Sequence, residues 1–166
     1  MEIGFSLGSN MGDVVAHMRA AKERVLSYPE VTWIAQSPLY ETDPVGVAPE
    51  YADLVFLNSV LVVESPDPAE VWLDRLHEIE HAMGRRRTDD RNAPRPMDID
   101  ILYVGEACID SGGLVVPHPR WAQRRFVVQP LADVRPDLIL PGAGQTVQAI
   151  LAGLSGEAVR RTDYSW

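Results

Sequence analysis

The octapeptide RPMDIDIL, residues 95–102, alternates Met97, Ile99 and Ile101 with Asp98 and Asp100. Aspartate is depleted in strands because its short side chain competes for backbone hydrogen bonds. Folded as a strand, this stretch points both carboxylates to one side, roughly 6–7 Å apart at about 3.3 Å of rise per residue. A metal site, an acid/base dyad or a solvated edge would explain such a pair. The edge is weakened because nothing else on the stretch looks exposed. A dyad needs a scissile bond between its groups, and nothing nearby suggests a sugar site. A hard divalent cation suits the pair better, since Mg²⁺ takes one or two carboxylates and fills its shell with water and phosphate oxygens.

The cations just upstream point the same way. Of fifteen Lys and Arg, five fall within residues 85–95: Arg85, Arg86, Arg87, Arg91 and Arg95. The plain explanation is a solvated loop. Yet the net charge is −9, and a concentrated arginine cluster on an acidic protein suits a small polyanion such as a nucleotide polyphosphate. The same net charge argues against a general nucleic-acid binder. There is no G-x-x-x-x-G-K-[ST], and the glycines at 4, 8 and 12 do not form G-x-G-x-x-G. A triphosphate must then be held by arginine side chains and metal. That suffices for phosphoryl transfer, which is mostly positioning and charge stabilisation.

Elsewhere single residues carry weaker signals. Asn58 stands in an otherwise apolar strand, where a buried amide needs partners. His118 lies between two prolines, rigidly placed, though it has the simpler option of bonding a backbone carbonyl. His17, His77 and His81 show no metal-ligand spacing and read as surface or helix residues. Phe56 and Phe126 have core positions as their ordinary fate.

The elements that must position these residues follow from periodicity. EIGFSLGSN alternates Ile3, Phe5 and Leu7 and then turns at Gly8, Ser9 and Asn10. From 13 to 27 the spacing of Val14, Val15, Met18, Ala21 and Val25 is helical, with Asp13 as cap and Pro29 closing the segment. VTWIAQSPLYET predicts a second strand, with an edge or bulge at Pro38. LVFLNSVLVVE predicts a third, largely buried one. The next helix has Asp67 as its cap, Pro68 at its first position and Gly84 past its end, with Val71, Trp72, Leu76, Ile79 and Met83 as the buried stripe. RPMDIDIL closes a β-α-β-β-α-β order, predicting an α+β, ferredoxin-like sandwich of two helices over one face of an antiparallel sheet. A hairpin at 110–113, a short helix near 121–131 and an extension to Trp166 follow.

Length and composition fit one soluble domain spanning 1–166. The chain is 46% hydrophobic and 23% charged, with Cys108 as its only cysteine. No internal disulfide is possible, and a reducing compartment is expected. The N-terminus is too short and polar for a signal peptide, and no apolar run approaches membrane-spanning length. The expectation is a cytoplasmic protein without a membrane partner.

Five motifs occur in order: GSN after the first strand, Y-x-T-x-P-x-G at 40–46, FLN at 56–58, GRRR…PRPMDIDIL, and VPHPRWAQRRFVVQPL. Together they resemble the 6-hydroxymethyl-7,8-dihydropterin pyrophosphokinase family of folate biosynthesis. The resemblance covers nearly the whole chain. It implies a ferredoxin-like fold with added elements and transfer of the β,γ-pyrophosphoryl group of ATP to the pterin hydroxymethyl group, releasing AMP. It implies that Asp98 and Asp100 hold two Mg²⁺ ions, with Arg85 and Arg95 mattering most for transfer. Glu80, Arg87, Arg91, Ile101, His118 and Arg124 match nucleotide positions. Thr42, Val45, Phe56, Asn58 and Phe126 match the pterin pocket, polar groups reading the ring edge and aromatics its faces. The expected partners are ATP and the pterin, and a monomer is the expected state.

The chain departs from the family's pattern at named places. Asn92-Ala93 stand where an aromatic residue and glycine are usual, Asp43 where proline is common, and Phe56 where tyrosine is frequent. Two other readings stay open: a pterin- or nucleotide-binding relative with weak or no transferase activity, and a ferredoxin-like RNA-binding module. The latter stacks bases on aromatics exposed on its sheet, whereas the candidate strand here presents aspartates.

Overall fold

A computed structural model describes residues 1–44, 47–86, 90, 92–156 and 159–166. Strand β1 (Glu2–Ser9) buries Ile3, Phe5 and Leu7 completely. Helix α1 (Val14–Leu26) starts at Asp13, whose Oδ1 accepts the Ala16 N–H at 3.1 Å, and buries Met18, Ala21 and Val25. The stretch expected as one strand arrives as two, β2 (Thr32–Gln36) and β3 (Tyr40–Thr42). Pro38 lies in the break, where it has no N–H to give a ladder. Both pieces pair with the long strand β4 (Phe56–Glu64).

Helix α2 (Ala69–Ala82) corrects three expectations. Pro68 is itself the cap residue, and the Asp67 carboxylate pairs with Arg75 at 2.7 Å instead of capping. Val71 is 37% exposed and Met83 only partly buried. The buried stripe runs through Ala69, Trp72, Leu76, Ile79 and Glu80. Val71 precedes Trp72 by one residue, which turns it about 100° off that stripe. The helix ends as the glycine predicted. Gly84 sits at φ +93°, its N–H bonds the His81 carbonyl and the Arg85 N–H bonds the Glu80 carbonyl, both at 3.0 Å. This six-to-one closure satisfies the last carbonyls and delivers Arg85 straight off the helix.

Next come β5 (Asp98–Val104), the hairpin β6 (Ile109–Ser111) and β7 (Leu114–Val116), and a 3₁₀ turn at Trp121–Gln123. Helices α3 (Arg125–Val134) and α4 (Val147–Gly153) and the edge strand β8 (Arg160–Arg161) complete the order. The helix expected near 121–131 is therefore the 3₁₀ turn followed by α3. Among the described residues the main sheet has six strands in the antiparallel order β5-β1-β4-β3-β8, with β2 also on β4.

Helices α1 and α2 cover one face, over Ile3, Phe5, Leu7, Leu61, Ile99 and Ile101. The other face carries α3 and α4 over Val60, Val62, Leu102 and Tyr103. A bulge makes this possible. Gly4 pairs with Tyr103 and Phe5 with Ile101, so Leu102 is the extra residue and joins Tyr103 on the α3 face. Gly4 gives the Tyr103 ring its room, since a Cβ there would lie 2.3 Å from Cε1. No helix among the described residues is long and apolar enough to cross a membrane.

Candidate active site

On the α3 face each central strand changes character along its length. Strand β4 runs from buried Val62 and Val60 to Asn58 and Phe56, and β5 from Leu102 to Asp100 and Asp98. Helices α3 and α4 cover the apolar half. The polar half floors a cavity of about 720 Å³, lined by Asp98 and Asp100 and also by Ser6, Gly8, Thr42, Phe56, Asn58, Arg85, Arg95, His118, Arg124 and Phe126. The register fixes two rows across three strands: Asn58–Gly8–Asp98 and Val60–Ser6–Asp100. With strands about 4.8 Å apart, Asn58 and Asp98 face each other across roughly 10 Å of floor. Gly8 keeps that floor open, since a Cβ there would stand 3.2 Å from Asn58 Oδ1.

At the carboxylate end, Met97 and Ile99 are buried and hold β5 in the core while Asp98 and Asp100 stay partly open. Arg85 Nη1 donates to Asp98 Oδ1 and, at 2.9 Å, to Glu80 Oε1. Arg95 Nη1 lies 3.4 Å from Asp98 Oδ2. Glu80 is 5% exposed and also accepts the Ile99 N–H at 2.8 Å, so one buried carboxylate ties α2, β5 and Arg85 together. Burial lifts the Glu80 carboxyl to about 7. Burial, then the charge of Asp98, lifts Asp100 to about 6. Burial opposes the Arg85 cation, but the charges of Asp98 and Glu80 outweigh it and raise its pKa.

His118 stands over the same rows. Its backbone N–H donates to the Leu102 carbonyl at 2.8 Å, and Nδ1 accepts the Arg120 N–H at 3.0 Å. Its Nε2 is 4.0 Å from Asp100 Oδ2. Burial, then the charges of Arg124 and Arg120, lower its pKa to about 4, so near neutrality the pair is not ionic. With Nδ1 accepting, the neutral ring carries its proton on Nε2, directed at the cavity.

At the other end, Asn58 Nδ2 donates to Thr42 Oγ1 at 2.9 Å, and both residues are buried. This answers the expectation that the amide needs a partner. Phe56 and Phe126 are half-buried and line the cavity, Phe126 while also packing against the α3-face core. The Arg124 guanidinium lies 5.6 Å from the Phe126 ring centre. Asn92, Ala93 and Asp43 are on the rim, and Asp43 pairs with Arg160 of β8 at 3.0 Å.

A second cavity of about 290 Å³ adjoins the first, sharing Arg85, Asp98, Asp100 and His118. It is walled by Leu73, Leu76, Ile99, Ile101 and Leu114, with Glu80 and His77 as polar members. Thus Glu80 and Ile101 lie off the main cavity, beside this apolar slot. Val45, Arg87 and Arg91 lie outside the described residues. Two contributors carried no role in the sequence reading. Arg120 lines the main cavity, and its charge acts on both Asp100 and His118. Its only sequence signal was its position two residues after His118. Asn10, within GSN, bonds the Arg95 backbone.

Two carboxylates on one face, Asp100 titrating high beside Asp98, form a hard-oxygen donor set that a divalent cation would relieve. Among the described residues no group of three or more His, Cys, Asp or Glu is placed to hold a metal. Two carboxylates on their own suit Mg²⁺, which takes one or two and draws its remaining ligands from water and phosphate.

Comparison with known proteins identifies the family. A sequence profile described as 7,8-dihydro-6-hydroxymethylpterin-pyrophosphokinase (HPPK) matches residues 4–136. The 2-amino-4-hydroxy-6-hydroxymethyldihydropteridine pyrophosphokinase of Pseudomonas aeruginosa is 38% identical over 156 residues, 94% of this chain and 93% of that one. The Bacillus subtilis protein of the same name is 40% identical over 131 residues, covering 78% and 75%. Among solved structures, Plasmodium falciparum HPPK-DHPS with SDX-DHP matches with a TM-score of 0.67 at 16% identity. An HPPK-DHPS in complex with substrates matches at 0.71 and 13%. Each covers 91% of this chain, which spans less than half of either, 43% and 42%; at these identities the likeness concerns the fold. From the profile match and these relatives, the chain belongs to the 7,8-dihydro-6-hydroxymethylpterin-pyrophosphokinase family.

Proposed function

We propose that this chain, working as one domain over 1–166, transfers the pyrophosphoryl group of ATP to 6-hydroxymethyl-7,8-dihydropterin. The observation that carries the reading is the single floor joining Asn58 and Thr42 to Asp98 and Asp100 across Gly8, edged by arginines. In chemical terms, the hydroxymethyl oxygen bonds the β-phosphorus, the bond from that phosphorus to the α-bridging oxygen breaks, AMP leaves, and the hydroxyl proton is released. The ferredoxin-like arrangement fits the strand order, with β2 and β3 sharing one strand's place beside β4. The open half of the α3 face presents Asp98 and Asp100, a charge that disfavours the phosphates of an RNA ligand.

Each residue has a task the geometry allows. Phe56 and Phe126 sandwich the pterin, while Asn58 Oδ1 and the Thr42 hydroxyl read its edge. Arg85 and Arg95 flank Asp98 with planar donor forks suited to phosphate oxygens. Neutral His118 donates from Nε2, adding a hydrogen bond without a charge, and Arg124 faces the same oxygens. The adenine takes the apolar slot between Leu73, Ile101 and Leu114, with Glu80 holding Arg85 at its border. Asp98 and Asp100 would hold Mg²⁺, two ions in this reading, which when bound neutralises triphosphate charge. Asn58 fixes the ring about two strands from those carboxylates, which aligns nucleophile and phosphorus by position. All these residues lie on one chain, so a monomer suffices, and a cytoplasmic site fits the substrates.

Incubation with ATP, Mg²⁺ and 6-hydroxymethyl-7,8-dihydropterin tests the reading. AMP and pterin diphosphate should form in equal amounts. No AMP above background would reject transfer and leave a binding protein.

A further inference from the structure

The turn after β1 has no task in the reaction above, yet it touches the catalytic cluster. Asn10 is 3% exposed. Its Oδ1 accepts the Arg95 backbone N–H at 2.8 Å, and its own backbone N–H reaches the Arg95 carbonyl at 3.3 Å. The two residues are 85 apart in sequence. This clamp therefore joins the end of the arginine-rich segment to the end of β1, just before β5 begins. Beyond it the Arg95 side chain, 17% exposed, reaches for Asp98. The Asn10 side chain is also only half satisfied, its Nδ2 being buried with no partner among the described residues. An unpaired buried donor is destabilising, so stability alone would favour a side chain without it.

We propose that Asn10 is a positioning residue for pyrophosphoryl transfer, clamping the Arg95 main chain so that its guanidinium stands beside Asp98 and the phosphates. The inference rests on the reaction proposed above. Asn10 does not line either cavity, so it acts through Arg95 and not on substrate.

The test compares N10L (similar size, no acceptor), N10A and N10D (acceptor kept), and N10A again in an R95A background. Thermal melts monitor folding throughout. N10L and N10A should lower kcat by about 10–100-fold, with both KM values within about threefold, because a displaced phosphate-binding group costs rate more than affinity. N10D should stay within about threefold of wild type. In the R95A background N10A should change kcat less than about twofold. Wild-type kcat in N10A, or an equal loss with and without Arg95, overturns the proposal. So does failure of both N10L and N10A to fold, which would make Asn10 a purely structural residue. A wild-type protein that yields no AMP overturns both readings, whereas an active one indifferent to N10A overturns this one alone.

Discussion

Asp100→Asn is the sharpest perturbation, because it separates what the carboxylate does for the fold from what it does for the reaction. Burial and Asp98 lift the Asp100 carboxyl from 3.8 to about 6. The folded state thus holds a proton that the unfolded state has lost between those values. This contribution to stability is fully present below 3.8 and is lost as pH rises through about 6. At about 1.4 kcal/mol per pH unit the full rise would correspond to about 3 kcal/mol. The side chain is 45% exposed, so screening reduces this to about 1 kcal/mol. In urea melts with chelator present, the variant should match wild type at pH 3.5 and exceed it by about 1 kcal/mol at pH 7. The same variant should lose Mg²⁺-dependent AMP formation by about 10²–10³-fold, the scale of one lost transition-state contact. A variant no more stable than wild type at pH 7, with wild-type pH dependence, would refute the claim that the ionised pair is strained. Folded protein with near-normal turnover would refute the metal assignment.

Glu80→Gln keeps an acceptor for the Ile99 N–H but removes the charge facing Arg85. Its kcat should fall about tenfold, in line with losing a charge-assisted hydrogen bond; the decline in wild-type rate as pH falls through about 7, where Glu80 protonates, should flatten in the variant's pH–rate profile. Arg120→Ala should raise the KM for ATP about fivefold at low ionic strength and much less at high salt, measured by steady-state kinetics. Gly4→Ala drives a methyl into the Tyr103 ring, which is 1% exposed and tied to Glu2 at 2.6 Å. It should cost about 1–3 kcal/mol by denaturant melt while leaving the kcat of the folded fraction unchanged.

The local chemistry was legible from the chain. Alternation put Asp98 and Asp100 on one side of a strand, Asp13 and Gly84 bounded their helices, and a lone amide among apolar residues marked Asn58. Such signals depend on neighbours a few residues away, which the sequence itself supplies. Where two local choices were close in energy the outcome differed. Pro68 took the cap from Asp67 because Asp67 found Arg75, and the helical stripe turned from Val71 toward Glu80. Glu80 is the instructive case: a carboxylate enters a buried stripe only because Arg85 and the Ile99 N–H meet it there.

The sequence by itself thus determined the order of the main elements as far as β5, the carboxylate pair and the arginine supply. Tertiary structure alone decided that Asn58, Gly8 and Asp98 form one row, because antiparallel register sets which residues of distant strands become neighbours. It also decided that Leu102 bulges to share a face with Tyr103, that α3 begins where the floor turns polar, and that Asn10 meets Arg95. RPMDIDIL specifies two repelling charges. Only the packed sheet specifies what stands opposite them: a bare glycine, a buried amide and arginines held in place by groups far away in the chain.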